Sequence, residues 1–330
     1  MSTTPTARRQ RHPFDLMYAP PPTVAVEIAA RRVSAALVEP RGDQFLVSAH
    51  ASEILPAGTI VPSLTAQNIL NPNAVVNALD RVFDAVGRPR RVGLVLPDPV
   101  ARVSLIKFEQ VPARPQDLDQ LVRWQTRKAA PFSIDEAQVS HAPGARAEDG
   151  QEFIVSIAKR TVIAEYEGVC STAGAHAGVV DISTFNVINT LLAASTSPSG
   201  DWLLINVAPE YASIAILRGA DLIFFRNRAS EGDGSLTDLV HQTAMYYEDR
   251  LQGTGFAHVL LTGASLAAQD QPIDLHAIRR GLAERLRTAV EIVDARQVAS
   301  LADRITAGPA LLDTLAPLVG LLVRDRGAAA

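Results

Sequence analysis

The sequence predicts an α/β protein of two lobes, with a small α+β subdomain inserted into the first. Three observations carry that reading. Three strands followed by a helix occur once from Thr23 and again from Trp202, which is an internal repeat of topology. Both halves open on hairpins of the same shape, "TVAVEIAARRVSAALVE" (23–39) and "WLLINVAPEYASIAILRGADLIFFR" (202–226). Between them, 97–175 alternates strands and helices in a different order from either half. A chain of 330 residues, 47% hydrophobic and 20% charged, is long enough and apolar enough to fill such a core.

Residues 1–22 read as an unstructured tail, rich in Thr, Arg and Pro and ending in Pro20-Pro21-Pro22. Phe14, Leu16, Met17 and Tyr18 form an apolar knot inside it, read as local packing or as a docking motif. "VAVEI", "VSAALVE" and "QFLVSAH" are strands, the last two separated by the turn residues Pro40 to Asp43. "NPNAVVNALDRVFDAVG" (71–87) is a helix: Val75, Val76, Leu79, Val82, Phe83 and Val86 recur at helical spacing. Asn71 caps it, Pro72 fits its first turn and Gly87 ends it. "RVGLVLP" is a buried strand.

Within the insertion, "VSLIKFEQV" (103–111) is a strand and "RPQDLDQLVRWQTRKAAPF" (114–132) a helix stopped by Pro131. "AQVSHAP" and "EFIVSIAKR" are strands joined by an acidic turn. "TVIAEYEGVCSTAG" is a helix with Thr161 as its cap and Gly174 as its stop. "GVVDIS" and "TFNVINTLLAA" return to the first fold, and "STSPSG" (195–200) is a linker. In the second half, helices at "SLTDLVHQTAMYYEDRL" and "DLHAIRRGLAERLRT" flank the strand "AHVLLTG"; the strand "VEIVD" and a helical segment through Leu321 follow. The predicted domains are a tail at 1–22, a first lobe at 23–96 plus 176–198, the insertion at 97–175 and a second lobe at 199–330.

Composition narrows the function. A net charge of −4, with cations concentrated only in the tail, argues against a nucleic-acid-binding body. The single cysteine, Cys170, allows no intrachain disulfide and no cysteine metal site, and reads as a buried helix residue. No stretch is apolar enough to cross a bilayer: Asp313 and Pro317 interrupt the best one, "LLDTLAPLVGLLV". The N-terminus lacks the apolar core of a signal peptide, so a cytoplasmic chain is expected. No phosphate loop ending in Gly-Lys-Ser/Thr and no His-Glu-x-x-His spacing occurs. The neighbours Asp135 and Glu136 diverge as a solvated pair, and His141 reads as a surface strand residue.

Three stretches carry a family resemblance. They are "LPAGTIVPSLTAQNILNPNAVVNALDRVF" with "VGLVLPDPVARVSLIKFEQVP", then "LDQLVRWQTRKAAPFSIDEAQVSH", then "IVSIAKRTVIAEYEGVCSTAGAHAGVVDISTFNVINTL". Their order resembles the PilM family of type IV pilus assembly proteins within the actin-like ATPase superfamily, whose lobes are ribonuclease H-like repeats. Gln125 stands where that family carries Glu. The resemblance covers roughly 23–325. It implies a cytoplasmic scaffold under the inner membrane that binds the short cytoplasmic peptide of a bitopic partner, PilN, and other pilus or secretion platform components. It leaves self-association open. The cytoplasmic part of the secretion protein GspL is implied as a relative.

The same resemblance implies a nucleotide cleft between the two hairpins, with ATP and Mg²⁺ as its cofactors. The phosphates there need glycine turns that bring backbone N–H groups close and an acidic residue in each hairpin to hold Mg²⁺ through water. Here Glu27 and Ala29 stand in the first hairpin where Asp and Gly are usual. Asn206 removes the second acid, and Pro209 removes a backbone donor. Gly263 and Ser265 in "LLTGASLA" keep the adenosine-side motif with one glycine. These departures predict a degenerate cleft without ATP hydrolysis; the alternative is an active ATPase or small-molecule kinase of the same superfamily. The partner peptide is expected between the first lobe and the insertion, against exposed strand edges, with Phe108, Trp124 and Phe132 as its apolar contacts and Trp124 as core otherwise.

Overall fold

Alternating side chains decide the first layer. Along β1 (Val24–Ile28), Val24, Val26 and Ile28 point to one face of the sheet and Ala25 to the other, and both faces are buried. β1 pairs antiparallel with β2 (Arg32–Arg41), which pairs antiparallel with β3 (Gln44–Ile54). The computed structural model describes residues 22–42, 44–194, 200–230, 235–270 and 274–324. The expected tail lies outside the described residues except for Pro22, and so does the linker except for Gly200.

Helix α1 (Pro72–Ala85) begins and ends where its sequence signals lie. The Asn71 side chain accepts from the Ala74 amide at 3.2 Å, Pro72 opens the first turn, and Gly87 beyond the last turn has φ +91°. β4 (Arg91–Leu96) then runs parallel to β1, and a short 3-10 turn at Asp98–Val100 leads into the insertion.

The insertion holds β5 (Ala101–Phe108), α2 (Pro115–Thr126), β6 (Ala137–Ala147) and β7 (Gly150–Lys159), with sheet order β5-β7-β6. Period two again sorts the faces. Phe153, Val155 and Ile157 of β7 bury against Val122 of α2 and Phe108, whereas Ile154, Ser156 and Ala158 point the other way, towards the first lobe. β5 occupies 101–108, not 103–111, and α2 ends at Thr126, short of Pro131. The Thr126 hydroxyl donates back to the Val122 carbonyl at 2.6 Å, and the Ala129 amide closes on Thr126 at 2.9 Å, so the chain leaves the helix before the proline is reached.

α3 (Arg160–Thr172) starts one residue before Thr161, which therefore does not cap it; Gly174 past its end has φ +85°, as its stop requires. β8 (His176–Ile182) pairs parallel with β4, and α4 (Ser183–Ala193) follows. The second lobe repeats the plan with β9 (Asp201–Val207), β10 (Tyr211–Arg218), β11 (Asp221–Ala229), α5 (Leu236–Leu251), β12 (His258–Thr262), α6 (Ala264–Asp270), α7 (Leu275–Leu286) and β13 (Val290–Ile292). Its sheet order is β11-β10-β9-β12-β13.

The C-terminal part departs from the expected division at 199. β14 (Ala299–Leu301) adds to the first sheet, parallel to β3, giving the order β14-β3-β2-β1-β4-β8. α8 (Pro309–Val323) covers the first sheet: Leu315, Leu318 and Val319 pack on Ala25, Ala36 and Val95. Conversely Val187, Ile188 and Leu191 of α4 pack on Trp202, Leu204 and Ala215 of the second sheet. Each half thus lends its last helix to the other. The two helices cross so closely that a Cβ at Gly320 would overlap the Asn186 carbonyl oxygen. The second-half span at 199–330 therefore ends inside the first lobe. A three-residue strand has too few side chains to show a period, which is why β14 leaves no mark in the sequence.

Candidate functional site

The two hairpin turns have one geometry. The Ala29 amide donates to the Arg32 carbonyl at 2.9 Å, and the Ala208 amide to the Tyr211 carbonyl at 2.8 Å. Each turn follows a strand whose neighbour is the parallel strand of its own lobe: Glu27 lies opposite Val95 on β4, and Asn206 opposite Thr262 on β12. Glu27 and Asn206 therefore occupy equivalent places, and both line one cleft together with Ala29, Pro209, Gly263 and Asp313.

Own side chains fill that cleft. Glu27 is half-buried and accepts from the Ser183 hydroxyl at 3.0 Å. Burial pushes its carboxyl up to about 7; the Ser183 bond opposes this, nearby Asp98 adds to it, and Arg32 opposes it. Asp98 is fully buried and joins the lobes. It accepts from the Thr184 amide at 2.9 Å, from the Thr184 hydroxyl, and from the Ser213 hydroxyl of the second lobe at 2.5 Å. Asn206 donates to the Thr184 hydroxyl at 2.9 Å, and Asn227 to Ser213 at 2.9 Å. The Asp98, Thr184, Asn206 and Ser213 side chains are thus paired within the chain, whereas the Nε of Arg31, which lines the same cleft, is buried without a hydrogen-bond partner. Across the mouth, Arg32 donates to Gln269 at 3.1 Å.

The adenosine-side motif is capped too. Gly263 sits at φ +77°, and a Cβ there would overlap the Val207 carbonyl oxygen, so β12 leads into α6 only through a glycine. The free amides of Ser265 and Leu266 at the start of α6 go to the Asp313 carboxylate, at 2.8 and 3.3 Å. Burial raises the Asp313 pKa against those bonds. A carboxylate of α8 therefore takes up the amides at the start of α6 on the adenosine side. About 70 Å³ remains in the cleft, against the ~300–1,000 Å³ of small-molecule pockets. A separate, mostly apolar cavity of about 310 Å³ lies beyond Asp313, beside Ala264, Ser265 and Arg279. Asn206 and Pro209 leave the hairpin end with one acid and one backbone donor fewer than the usual magnesium-bound triphosphate site. Among the described residues no cluster of three His, Cys, Asp or Glu offers a metal site.

A second, open groove lies between the insertion and the first lobe. It holds about 290 Å³ and is lined by Gln138, Ser140 and Ala142 of β6, Ile154, Ser156 and Ala158 of β7, and Val180, Asp181, Ile182 and Phe185 of the first lobe. β6 is an edge of its sheet and β8 an edge of the other, so two unpaired strand edges flank the groove. Burial raises the half-buried Asp181 to about 6, partly offset by its bond to the Ile182 amide and by Arg324.

The aromatic residues expected to contact a peptide lie elsewhere. Phe108 is 9% exposed and belongs to the core beneath α2. Phe132 is half-buried, and Trp124 is 67% exposed on the surface of α2, neither core nor groove wall. None of the three lines the groove, because α2 covers one face of the insertion sheet and the groove uses the other. Sequence reasoning missed Asp98, Thr184, Ser213 and Asp313. Only Asp313 carried a visible signal: an acid in an otherwise apolar run.

A family model described as type IV pilus assembly protein PilM matches residues 25–253. Among solved structures, the PilM–PilN type IV pilus biogenesis complex superposes with a TM-score of 0.75 at 18% identity, covering 92% of this chain and 98% of that one. A Bacteroides thetaiotaomicron protein with an actin-like ATPase fold matches at a TM-score of 0.51 and 10% identity, covering 82% and 89%. The cytoplasmic domain of EpsL, an inner-membrane component of the type II secretion system of Vibrio cholerae, matches at 0.47 and 8%, covering 93% and 94%. No curated protein matches the chain. The fold is the bilobal actin-like one.

Proposed function

The chain belongs to the family of the type IV pilus assembly protein PilM, and from that premise we propose a scaffold without ATP turnover. It works at the cytoplasmic face of a pilus or type II secretion-like inner-membrane platform. There it captures the cytoplasmic peptide of a PilN-like bitopic partner in the groove between the first lobe and the insertion. The observation that carries this is the pair of strand edges, β6 and β8, flanking an apolar groove of about 290 Å³. An extended chain laid along such an edge gains main-chain hydrogen bonds, and alternate side chains enter the pockets. Among the described residues no helix is long and apolar enough to cross a membrane, so attachment through a partner suits the chain. The structure with the TM-score of 0.75 is that of a complex with PilN.

The test is a titration of the labelled cytoplasmic peptide of the candidate partner against wild type and Ile154→Arg, with thermal denaturation as the folding control. Ile154 lines the groove, and a buried guanidinium there should weaken binding by ~tenfold or more. Undiminished binding by a folded variant rules the groove out. For the cleft, calorimetry with Mg·ATP up to millimolar concentration should show no heat of binding. Micromolar affinity with turnover would restore the ATPase reading.

A further inference from the structure

Trp124 is the aromatic side chain that neither the core nor the groove explains. It is 67% exposed, whereas the chain's other tryptophan, Trp202, is fully buried. Arg127, at the end of the last turn of α2, and Lys128, in the turn that follows, are both exposed and within four residues of Trp124; Arg123 adjoins them. None of these three cations has an ion-pair partner among the described residues. The acids of the same helix lie towards its other end: Asp119 is engaged by His141 at 2.7 Å, and Asp117 sits ~10 Å along the axis from Trp124. Asp135 and Glu136 follow on the short turn Ile134–Glu136, Glu136 with Lys159 at 3.9 Å, so the three cations are gathered around Trp124 at the C-terminal end of α2 while the acids lie to either side in the sequence.

We propose that this face of α2 is a contact for an anionic bilayer surface, with the Trp124 indole at the headgroup level and Arg123, Arg127 and Lys128 against the lipid phosphates. Indole rings settle at the membrane–water boundary because one end is apolar and the N–H remains solvated. Lysine and arginine beside them are drawn to the negative leaflet. A protein partner fits the face less well. No other large apolar side chain of α2 is exposed, so the face lacks the apolar centre of a stable protein interface, which takes ~800 Å² from each partner. The contact goes beyond the groove reading and stands without it, since α2 covers the opposite face of the insertion sheet.

The two tryptophans make the test direct. The full chain is mixed with vesicles of phosphatidylcholine, with or without phosphatidylglycerol, and read by flotation and by tryptophan emission. Binding to the anionic vesicles with a blue shift, and quenching by brominated acyl chains, is expected. Salt should reverse it, and R127E/K128E should lose about tenfold or more in partitioning. In Trp124→Phe the shift should vanish, because Trp202 stays buried. All three positions are at the surface, and unchanged thermal midpoints confirm that the variants fold. No flotation with anionic vesicles, equal flotation with neutral ones, or undiminished flotation of R127E/K128E overturns the proposal. So does a charge-reversed variant that keeps its vesicle binding but loses a platform protein, which would assign the face to that protein.

Discussion

The hairpin cleft and the insertion groove differ in how their polar groups are satisfied. In the cleft, Asp98, Asn206, Ser213 and Asp313 are paired with one another's neighbours across both lobes, and about 70 Å³ is left. In the groove, about 290 Å³ lies between two sheet edges. A donor or acceptor already paired has little left for a ligand, whereas the buried Nε of Arg31 in the cleft and the unpaired strand edges of the groove still hold theirs.

The largest effect expected bears on why the cleft stays filled. Gly320→Val puts a branched side chain into the Asn186 carbonyl at the crossing of α4 and α8. The loss should exceed ~3 kcal/mol, enough to prevent accumulation of folded protein. A cooperative denaturation curve near that of wild type would mean that the helices can part and the cleft can open. Next, Asp98→Ala leaves the Thr184 amide and the Thr184 and Ser213 hydroxyls without their acceptor. A loss of ~2–4 kcal/mol in urea denaturation is expected. A neutral result would show that the junction is not held by this carboxylate.

A third test uses pH. The folded pKa of Glu27 is raised to about 7, above the ~4.3 of an unfolded chain. Between these values the folded state binds the extra proton, so stability falls as pH rises towards 7 and stays low above it. Glu27→Gln can still accept from Ser183 and has nothing to ionise. It should match wild type below about pH 4.3 and exceed it by ~1–3 kcal/mol at pH 8, the shift being discounted for a half-buried group. Parallel pH profiles for the two proteins would remove Glu27 as the cause. The smallest effects should separate the regions by serine alone. Ser213→Ala in the cleft should cost ~1–2 kcal/mol, because its hydroxyl serves Asp98 and Asn227. Ser156→Ala in the groove should stay within ~0.5 kcal/mol. Equal costs would erase the distinction between cleft and groove.

Much of the frame was legible along the chain. The Asn71–Pro72 start and the Gly87 stop of α1 act within one turn and depend on no distant residue. The equivalence of Glu27 and Asn206 followed from two hairpins that later proved to share one turn geometry. Trp124 was misplaced because helical spacing shows which residues share a face, and does not show which face the sheet covers. Asp98 was passed over because its partners lie 86 and 115 residues away.

Local signals therefore determined the strands, the capped helices, the repeat and the loss of the second hairpin acid, since each rests on backbone chemistry within a few residues. Tertiary structure alone decided that α4 and α8 exchange lobes, that Asp313 occupies the amides of α6, and that the groove lies on the face of the insertion away from α2. These depend on which surfaces meet. A run of apolar residues records that it must be buried and carries no address for the surface that buries it.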